Sequence, residues 1–403
     1  MFDVVCVGSA TQDVFIKSDL SKIVRISDAL TQKELLCYDY GSKVTVDNIE
    51  FLTGGGATNT AVSFARLGLK AAFLGKVGKD DAANSVLGEL SKEGVDAVYA
   101  ISSNSRATGY SVVLISFEGD RTVLTFRGAN DSLDENDVDW QLFDNTKWIY
   151  MSSLSGRSAQ IAETLARRAK ERNVKLAFNP GSTQLKTRIK GLGPIFQCTD
   201  VLIMNREEAE MVAGVTATRK GVDQERCALC GDCVNACEHG VLKIADSRLS
   251  VQGAELCSQC GKCVSACPRG AMVLEPWAYN LFEIFRIFME SGVKVAVITD
   301  GRLGSQACDG KNVYVFPAYA APTVDTLGAG DAFASAFVAE YMKTGDVCKA
   351  LQMGAANSSS VVRYFGAKPG LLTLAEAESF IAEKAGQDIY FVRTLPFSQL
   401  VAR

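Results

Sequence analysis

Short apolar runs of strand length are spread along the chain: "DVVCVG" (3–8), "AAFLGKVG" (71–78), "KLAFNPG" (175–181), "DVLIMN" (200–205) and "VKVAVITDG" (293–301). Runs that are apolar throughout, rather than alternating, predict strands buried on both faces. Helical patterns lie between several of them. In "SAQIAETLARRAKERN" (158–173), Ile161, Leu165 and Ala169 fall on one face, and Ser158 stands where an N-cap would. Buried strands alternating with amphipathic helices predict an α/β fold with a mainly parallel sheet covered on both sides. Two segments break the rhythm, "ELLCYDYGSKVTVDNIEFLTGG" (34–55) and "TGYSVVLISFEGDRTVLTFRG" (108–128). Both are strand-rich without an intervening helix, and "EGD" (118–120) reads as a hairpin turn. They predict a small antiparallel β flap, about 14–54 and 108–128, of the kind that covers a substrate pocket.

A different pattern interrupts the α/β series. The chain has 13 cysteines, and eight fall in two near-copies, "RCALCGDCVNACEHG" (226–240) and "LCSQCGKCVSACPRG" (256–270). Each reads C-x2-C-x2-C-x3-C: Cys227, Cys230, Cys233, Cys237, then Cys257, Cys260, Cys263, Cys267. Zinc sites take C-x2-C pairs separated by a longer gap, and disulfides do not suit a chain without an export signal. The spacing matches the bacterial two-cluster ferredoxin pattern, in which the fourth cysteine of each run serves the other cluster. One 4Fe-4S cluster is thus assigned to Cys227, Cys230, Cys233 and Cys267, and the other to Cys257, Cys260, Cys263 and Cys237. Each cysteine run leads into a short strand-like tail, "VLKIA" or "AMVLE". The segment 216–276 reads as a duplicated, ferredoxin-like α+β insert whose clusters serve as staples, within a domain formed by 1–215 and 277–403.

Composition narrows the chemistry. Of the 403 residues 47% are hydrophobic, enough for a full core, and the net charge of −4 lacks the basic footprint of a nucleic-acid binder. No apolar run reaches membrane-spanning length, and "MFDVVCVGSA" has neither the charged nor the apolar region of a signal peptide, so a cytoplasmic protein is expected. His239 is the only histidine, which points to a carboxylate as any general base.

The best candidate is in "VDTLGAGDAFASAFVAEYM" (324–342). Phe333, Phe337 and Tyr341 recur at helical spacing, which places Gly328, Ala329 and Gly330 at the helix start. Backbone amides there, unobstructed by side chains, form an anion site, and Asp331 adds a carboxylate beside it. An anion hole next to a carboxylate base suits phosphoryl transfer to a hydroxyl. No G-x-x-x-x-G-K-[ST] string is present, which disfavours P-loop kinases.

Five motifs in order make the chain resemble a ribokinase-like (PfkB) carbohydrate kinase: "GSATQD" (8–13), "GGGATNTAVSFARLG" (54–68), "NREE" (205–208), "TDGRLG" (299–304) and "DTLGAGD" (325–331). The resemblance covers all of the chain except the insert. It implies Asp331 as catalytic base, with Gly328, Ala329 and Gly330 as the anion hole. Asp13, Gly54, Gly55 and Asn59 would hold substrate hydroxyls, and Asn205 and Glu208 would organise Mg²⁺ and phosphates. Thr299, Gly301 and Gly304 would lie along ATP, Asn357 would border the adenine, and Asp325 and Thr326 would hold a monovalent cation or fix the turn. Gly56 departs from ribokinases proper, where Lys follows the glycine pair. A nucleoside kinase of the same family is the alternative, and an electron-transfer protein on an inactive kinase scaffold is the alternative from another class. The expected partners are ATP, a small sugar or nucleoside and a redox protein, with a homodimer formed through exposed flap edges.

Overall fold

A computed structural model describes residues 1–17, 21–27, 32–116, 121–215, 218–219, 222, 226–245, 247–251, 262–272, 279–385, 387, 390 and 392–397. The chain opens with β1 (Phe2–Val7) and moves to β2 (Thr11–Lys17), β3 (Lys22–Ser27), β4 (Gln32–Cys37) and β5 (Asn48–Gly54). It continues through α1 (Gly56–Arg66), β6 (Ala71–Val77), α2 (Asp81–Lys92), β7 (Asp96–Ser102), β8 (Gly109–Ile115) and β9 (Arg121–Phe126). Next come β10 (Thr146–Met151), α3 (Ala162–Glu171), β11 (Lys175–Phe178), α4 (Ser182–Leu185), α5 (Arg188–Phe196), β12 (Val201–Asn205) and α6 (Arg206–Ala213). The cysteine region holds β13 (Thr218–Arg219), α7 (Asp232–Asn235), β14 (Leu242–Ala245), β15 (Arg248–Val251), α8 (Lys262–Ser265) and β16 (Tyr279–Asn280). The remainder is α9 (Phe282–Glu290), β17 (Val295–Thr299), β18 (Ser305–Cys308), β19 (Asn312–Phe316), α10 (Ala329–Thr344), α11 (Val347–Val361), α12 (Leu374–Lys384) and β20 (Arg393–Pro396).

Ten strands form the central sheet in the order β20-β19-β18-β17-β12-β11-β10-β1-β6-β7. From β17 to β7 every pairing is parallel, and β18, β19 and β20 add an antiparallel edge. The apolar runs behave as their composition requires. In β1, Val4 and Cys6 enter the core shared with α1, α10 and α11, while Val5 and Val7 enter the opposite core shared with α3, α5 and α9. The two cores fill both faces of the sheet. Ligands of α/β sheets bind at the carboxyl ends of strands.

The flap is a four-stranded sheet, β5-β2-β8-β9. The expectation of a purely antiparallel flap needs correction, because β2 and β8 pair in parallel while β2–β5 and β8–β9 are antiparallel. The crossover from β2 to β8 runs through the central sheet, so the two strands enter from the same end. Strands β3 and β4 form a separate hairpin. The predicted turn at 118–120 lies outside the described residues.

Ser158 also differs from expectation. It is buried within a 3-10 turn (Gly156–Ile161) ahead of α3, with Oγ donating to the Asn130 carbonyl (2.7 Å) and accepting from the Leu133 amide (2.8 Å). Ile161, Leu165 and Ala169 do face the core.

Candidate active site

The N-termini of α1 and α10 meet above the sheet. Gly328 precedes α10 at φ 76°, and a Cβ there would lie 2.3 Å from the Ala367 Cβ, so the turn requires glycine. Nothing lies within 4 Å of a Cβ built on Gly330, which leaves the first turn of the helix open. Asp331 follows in that turn, and the Asn59 Nδ2 on α1 donates to its Oδ2 at 2.9 Å. Burial raises the Asp331 carboxyl to about 6, against the Asn59 amide and the charge of Lys368, which lower it. Hydroxyls one turn further along each helix fix the pairing. Ser335 Oγ donates to Ser63 Oγ at 2.7 Å, and each serine stands four residues after the polar group it helps place. This buried bridge sets the register of α10 against α1 and hence brings Asn59 to Asp331.

Asp13 faces the same region from the flap side. It is the third residue of β2, opposite Leu52 of β5 and Ser111 of β8. Burial raises its carboxyl above the usual range, opposed by hydrogen bonds from Thr11 and Ser111 and by the charge of Lys368. The chain passes close beside it. A Cβ on Gly54 would lie 1.9 Å from Asp13 Oδ2, and one on Gly55 (φ 104°) would lie 2.4 Å from the Ser9 carbonyl. Two buried acceptors here, Asp13 Oδ1 and Asn59 Oδ1, have no donor among the described residues. Buried oxygens of this kind ordinarily have partners, and hydroxyl groups of a ligand would supply them.

Asn205 and Thr299 end the adjacent parallel strands β12 and β17 in register. Asn205 Oδ1 accepts the Glu208 amide and Glu208 Oε2 accepts the Asn205 amide, both at 2.9 Å, a reciprocal cap on α6. Burial raises the Glu208 carboxyl, against the Asn205 amide. Gly301 (φ 52°) and Gly304 (φ 95°) turn the chain from β17 into β18, and a Cβ on Gly304 would meet the Phe316 carbonyl at 2.3 Å. Asn357 belongs elsewhere. It is fully buried, with Nδ2 donating to Ser63 Oγ (3.1 Å) and the Ala332 carbonyl (3.0 Å) and Oδ1 accepting the Leu372 amide (2.9 Å). The expected adenine contact is corrected accordingly, since its amide is consumed in joining α11 to α1 and α10.

In the cysteine region Cys227, Cys230, Cys233 and Cys267 line one open pocket, together with Leu229, Ile244, Leu249 and Met272. These are the four residues the spacing assigned to one cluster. Cys267 Sγ accepts the Ala271 amide at 3.2 Å. Burial pushes this thiol up, but the amides of Met272, Arg269, Ala271 and Gly270 outweigh it and hold the thiol below its ordinary value, as a thiolate ligand needs. Cys237 and Cys263 pack in the same small core. Cys257 and Cys260 lie outside the described residues, as do 273–275 of the second tail. Among the described residues no three His, Cys, Asp or Glu side chains converge as a single metal ion would require.

The family profile "pfkB family carbohydrate kinase" matches residues 1–237 and 280–374. The chain belongs to this family. It is a PfkB carbohydrate kinase that also carries a 4Fe-4S dicluster domain, matched over residues 226–272. Curated relatives include the 5-dehydro-2-deoxygluconokinase of Clostridium botulinum (strain Alaska E43 / Type E3), 23% identical over 83% of this chain and 85% of that protein. The ribokinase of Haemophilus influenzae is 22% identical over 85% of this chain and 91% of its own length. Among solved structures, Arabidopsis thaliana ribokinase complexed with ribose and ATP superposes with a TM-score of 0.65 at 19% identity, covering 94% of this chain and 98% of that one.

Two residues of this PfkB kinase escaped sequence reasoning. Lys368 is buried behind the glycine turn, its Nζ donating to the Thr53 carbonyl (3.1 Å), Thr53 Oγ1 (2.5 Å) and Glu89 Oε2 (2.7 Å). Arg121, at the start of β9, reaches Asp325 and Thr326. Strand alternation holds the only signal for Arg121. Lys17, Ile115 and Arg121 are cross-strand partners, an even step from Asp13, so Arg121 and Asp13 share one face of the flap. No pattern in the sequence marks Lys368. Among the described residues no helix is long and apolar enough to cross a membrane.

Proposed function

We propose that this kinase transfers the γ-phosphoryl group of ATP to a hydroxyl of a sugar or sugar acid held between the flap and α1. The observation that carries the reading is the meeting of Asp331, its pKa raised to about 6, with Asn59 at the open first turn of α10. The acceptor hydroxyl gives its proton to Asp331 as its oxygen bonds to the γ-phosphorus and the bond to the ADP oxygen breaks. The amides at Gly328, Ala329 and Gly330 stabilise charge on the phosphoryl oxygens. Asp13 and Asn59 accept other hydroxyls of the acceptor through their partnerless oxygens. Glu208 would hold Mg²⁺, which neutralises phosphate charge when bound, through the Oε1 that the reciprocal cap leaves unused, and Asn205 would donate its Nδ2 to a phosphate oxygen. Thr299, Gly301 and Gly304 line the nucleotide side. The names of the relatives favour sugars and sugar acids as acceptors.

The insert, proposed to span 216–276 and to hold two 4Fe-4S clusters, is read as a redox sensor or a docking site for an electron-transfer partner. Its start pairs as a short ladder with the chain that follows it, Thr218 with Asn280 and Arg219 with Tyr279. That ladder stands between the end of α6, whose start carries Asn205 and Glu208, and the start of α9, which leads to Thr299. Protein purified without oxygen should release ADP with one acceptor from a panel of neutral sugars, sugar acids and nucleosides. Nucleosides as the only acceptors would move the protein to the nucleoside kinases, and equal rates with oxidised, reduced and cluster-free protein would remove the sensor role.

A further inference from the structure

Asp325 and Thr326, the pair to which the resemblance gave a monovalent cation, are engaged by the flap. The Asp325 side chain is only 4% exposed, and a buried carboxylate requires a compensating charge. Arg121 supplies it. One guanidinium nitrogen, Nη1, donates to Asp325 Oδ1, and the other, Nη2, donates to Thr326 Oγ1 at 3.0 Å. Oδ1 also accepts the Leu327 amide (2.9 Å), and Oδ2 accepts the Gly366 amide (3.1 Å). Both carboxylate oxygens are thus occupied. A free cation would have to expel the guanidinium or sit against its charge. These residues do not fit a monovalent cation at this carboxylate.

We propose that Arg121 is the tethered cation of this kinase. It replaces a free monovalent ion beside Asp325 and positions the loop leading into Gly328, Ala329 and Gly330. Guanidinium stays charged at any working pH and presents two donors in a fixed fork, which suits a permanent, oriented counter-charge. Because Arg121 belongs to β9, the counter-charge arrives with the flap. Closing the flap edge over the substrate is then the event that orders the anion-hole loop. Arg121 is a positioning residue, acting through Asp325 on the amides that meet the phosphoryl group.

The proposal rests on phosphoryl transfer at Asp331, and its test separates the two. Initial rates of the complete, cluster-loaded protein are compared in potassium, sodium and tetramethylammonium salts at equal ionic strength. Wild type should give the same rate in all three. Arg121→Ala should lose about 100-fold in kcat in tetramethylammonium, as loops displaced near a reacting centre do. Potassium should restore much of that loss in a saturable way, and Arg121→Lys, which keeps the charge but not the fork, should fall between wild type and Arg121→Ala without gaining from potassium. A loss that is merely structural would not respond to potassium over tetramethylammonium. An active wild type that requires potassium, or an Arg121→Ala variant at full rate without it, overturns the proposal. If Arg121→Ala fails to fold, the wild-type comparison and Arg121→Lys still decide. Wild type inactive with every acceptor would instead sink the reading of the site itself.

Discussion

The proton on Asp331 gives a prediction whose size follows from the site. Burial lifts the carboxyl from 3.8 to about 6, and the Asn59 amide and Lys368 charge limit the rise. A general base works only when ionised. About nine-tenths of the molecules carry the carboxylate at pH 7 and about one-tenth at pH 5, so kcat/KM for the acceptor should fall about tenfold over that interval. The Asn59 bond favours the charged form. A hydrogen bond to a charged group contributes about 1.5–3 kcal/mol, so Asn59→Ala should move the acid limb upward by about one to two pH units. The assay is ADP release at saturating MgATP and low acceptor, from pH 4.5 to 8.5 in about constant ionic strength. The residual rate of Asp331→Asn should carry no limb near 6. A limb that persists in Asp331→Asn belongs to another group, and a flat wild-type profile between pH 5 and 7 would refute the assignment. Stability should move the opposite way. A carboxyl whose folded pKa is raised contributes stability below its unfolded value near 3.8 and loses it as pH rises through about 6, a cost of about 3 kcal/mol at neutral pH. Asp331→Asn cannot ionise, so it should raise the thermal midpoint at pH 7.5, with a smaller gain as pH approaches 4.

Three further tests bear on other parts of the molecule. Gly54→Ala places a Cβ 1.9 Å from Asp13 Oδ2 and should raise the acceptor KM about tenfold or more while leaving the ATP KM unchanged; an unchanged acceptor KM would separate Asp13 from the substrate. The Tyr150 hydroxyl is fully buried with no partner among the described residues, so Tyr150→Phe should be neutral or stabilising by about 1 kcal/mol in denaturant unfolding, and a clear loss would reveal a hidden partner. If Cys227 and Cys267 serve one of two clusters, as proposed from the spacing, Cys227→Ser and Cys267→Ser should each remove about half of the iron and the double variant no more. Loss of all iron in the double variant would place Cys267 in the other ligand set.

Much of the central architecture was legible because its strands are buried on both faces and so are apolar from end to end. The glycine turn before α10 was legible because Asp331 stands in the first turn of a helix with a clear aromatic stripe, where Phe333, Phe337 and Tyr341 stack at 6.3 and 6.1 Å, and the structure gives Gly328 a positive φ there. What escaped depends on partners distant in sequence. Ser63 and Ser335 are ordinary small helix residues until the two helices cross, 272 positions apart. Asn357 reads as a polar residue in a helix, yet its surroundings take both of its amide hydrogens and one lone pair of its oxygen. The parallel pairing of β2 with β8 is set by a crossover through the central sheet, which no local pattern records. Lys368 and Arg121 gain their roles only from the closed flap. The spacing of the cysteine runs also put Cys227, Cys230, Cys233 and Cys267 together, and these four line one pocket, while Cys257 and Cys260 lie outside the described residues.

The central claim is phosphoryl transfer to a sugar hydroxyl with Asp331 as base. The most direct measurement follows phosphorus from ATP into product by mass and phosphorus NMR, with wild type and Asp331→Asn side by side on the acceptor that turns over. The account predicts one phosphomonoester formed per ADP released by wild type. It also predicts a variant that binds MgATP as tightly but forms the ester at least about a thousandfold more slowly. An Asp331→Asn enzyme that keeps most of its rate, or ADP released without a phosphorylated sugar, would contradict it.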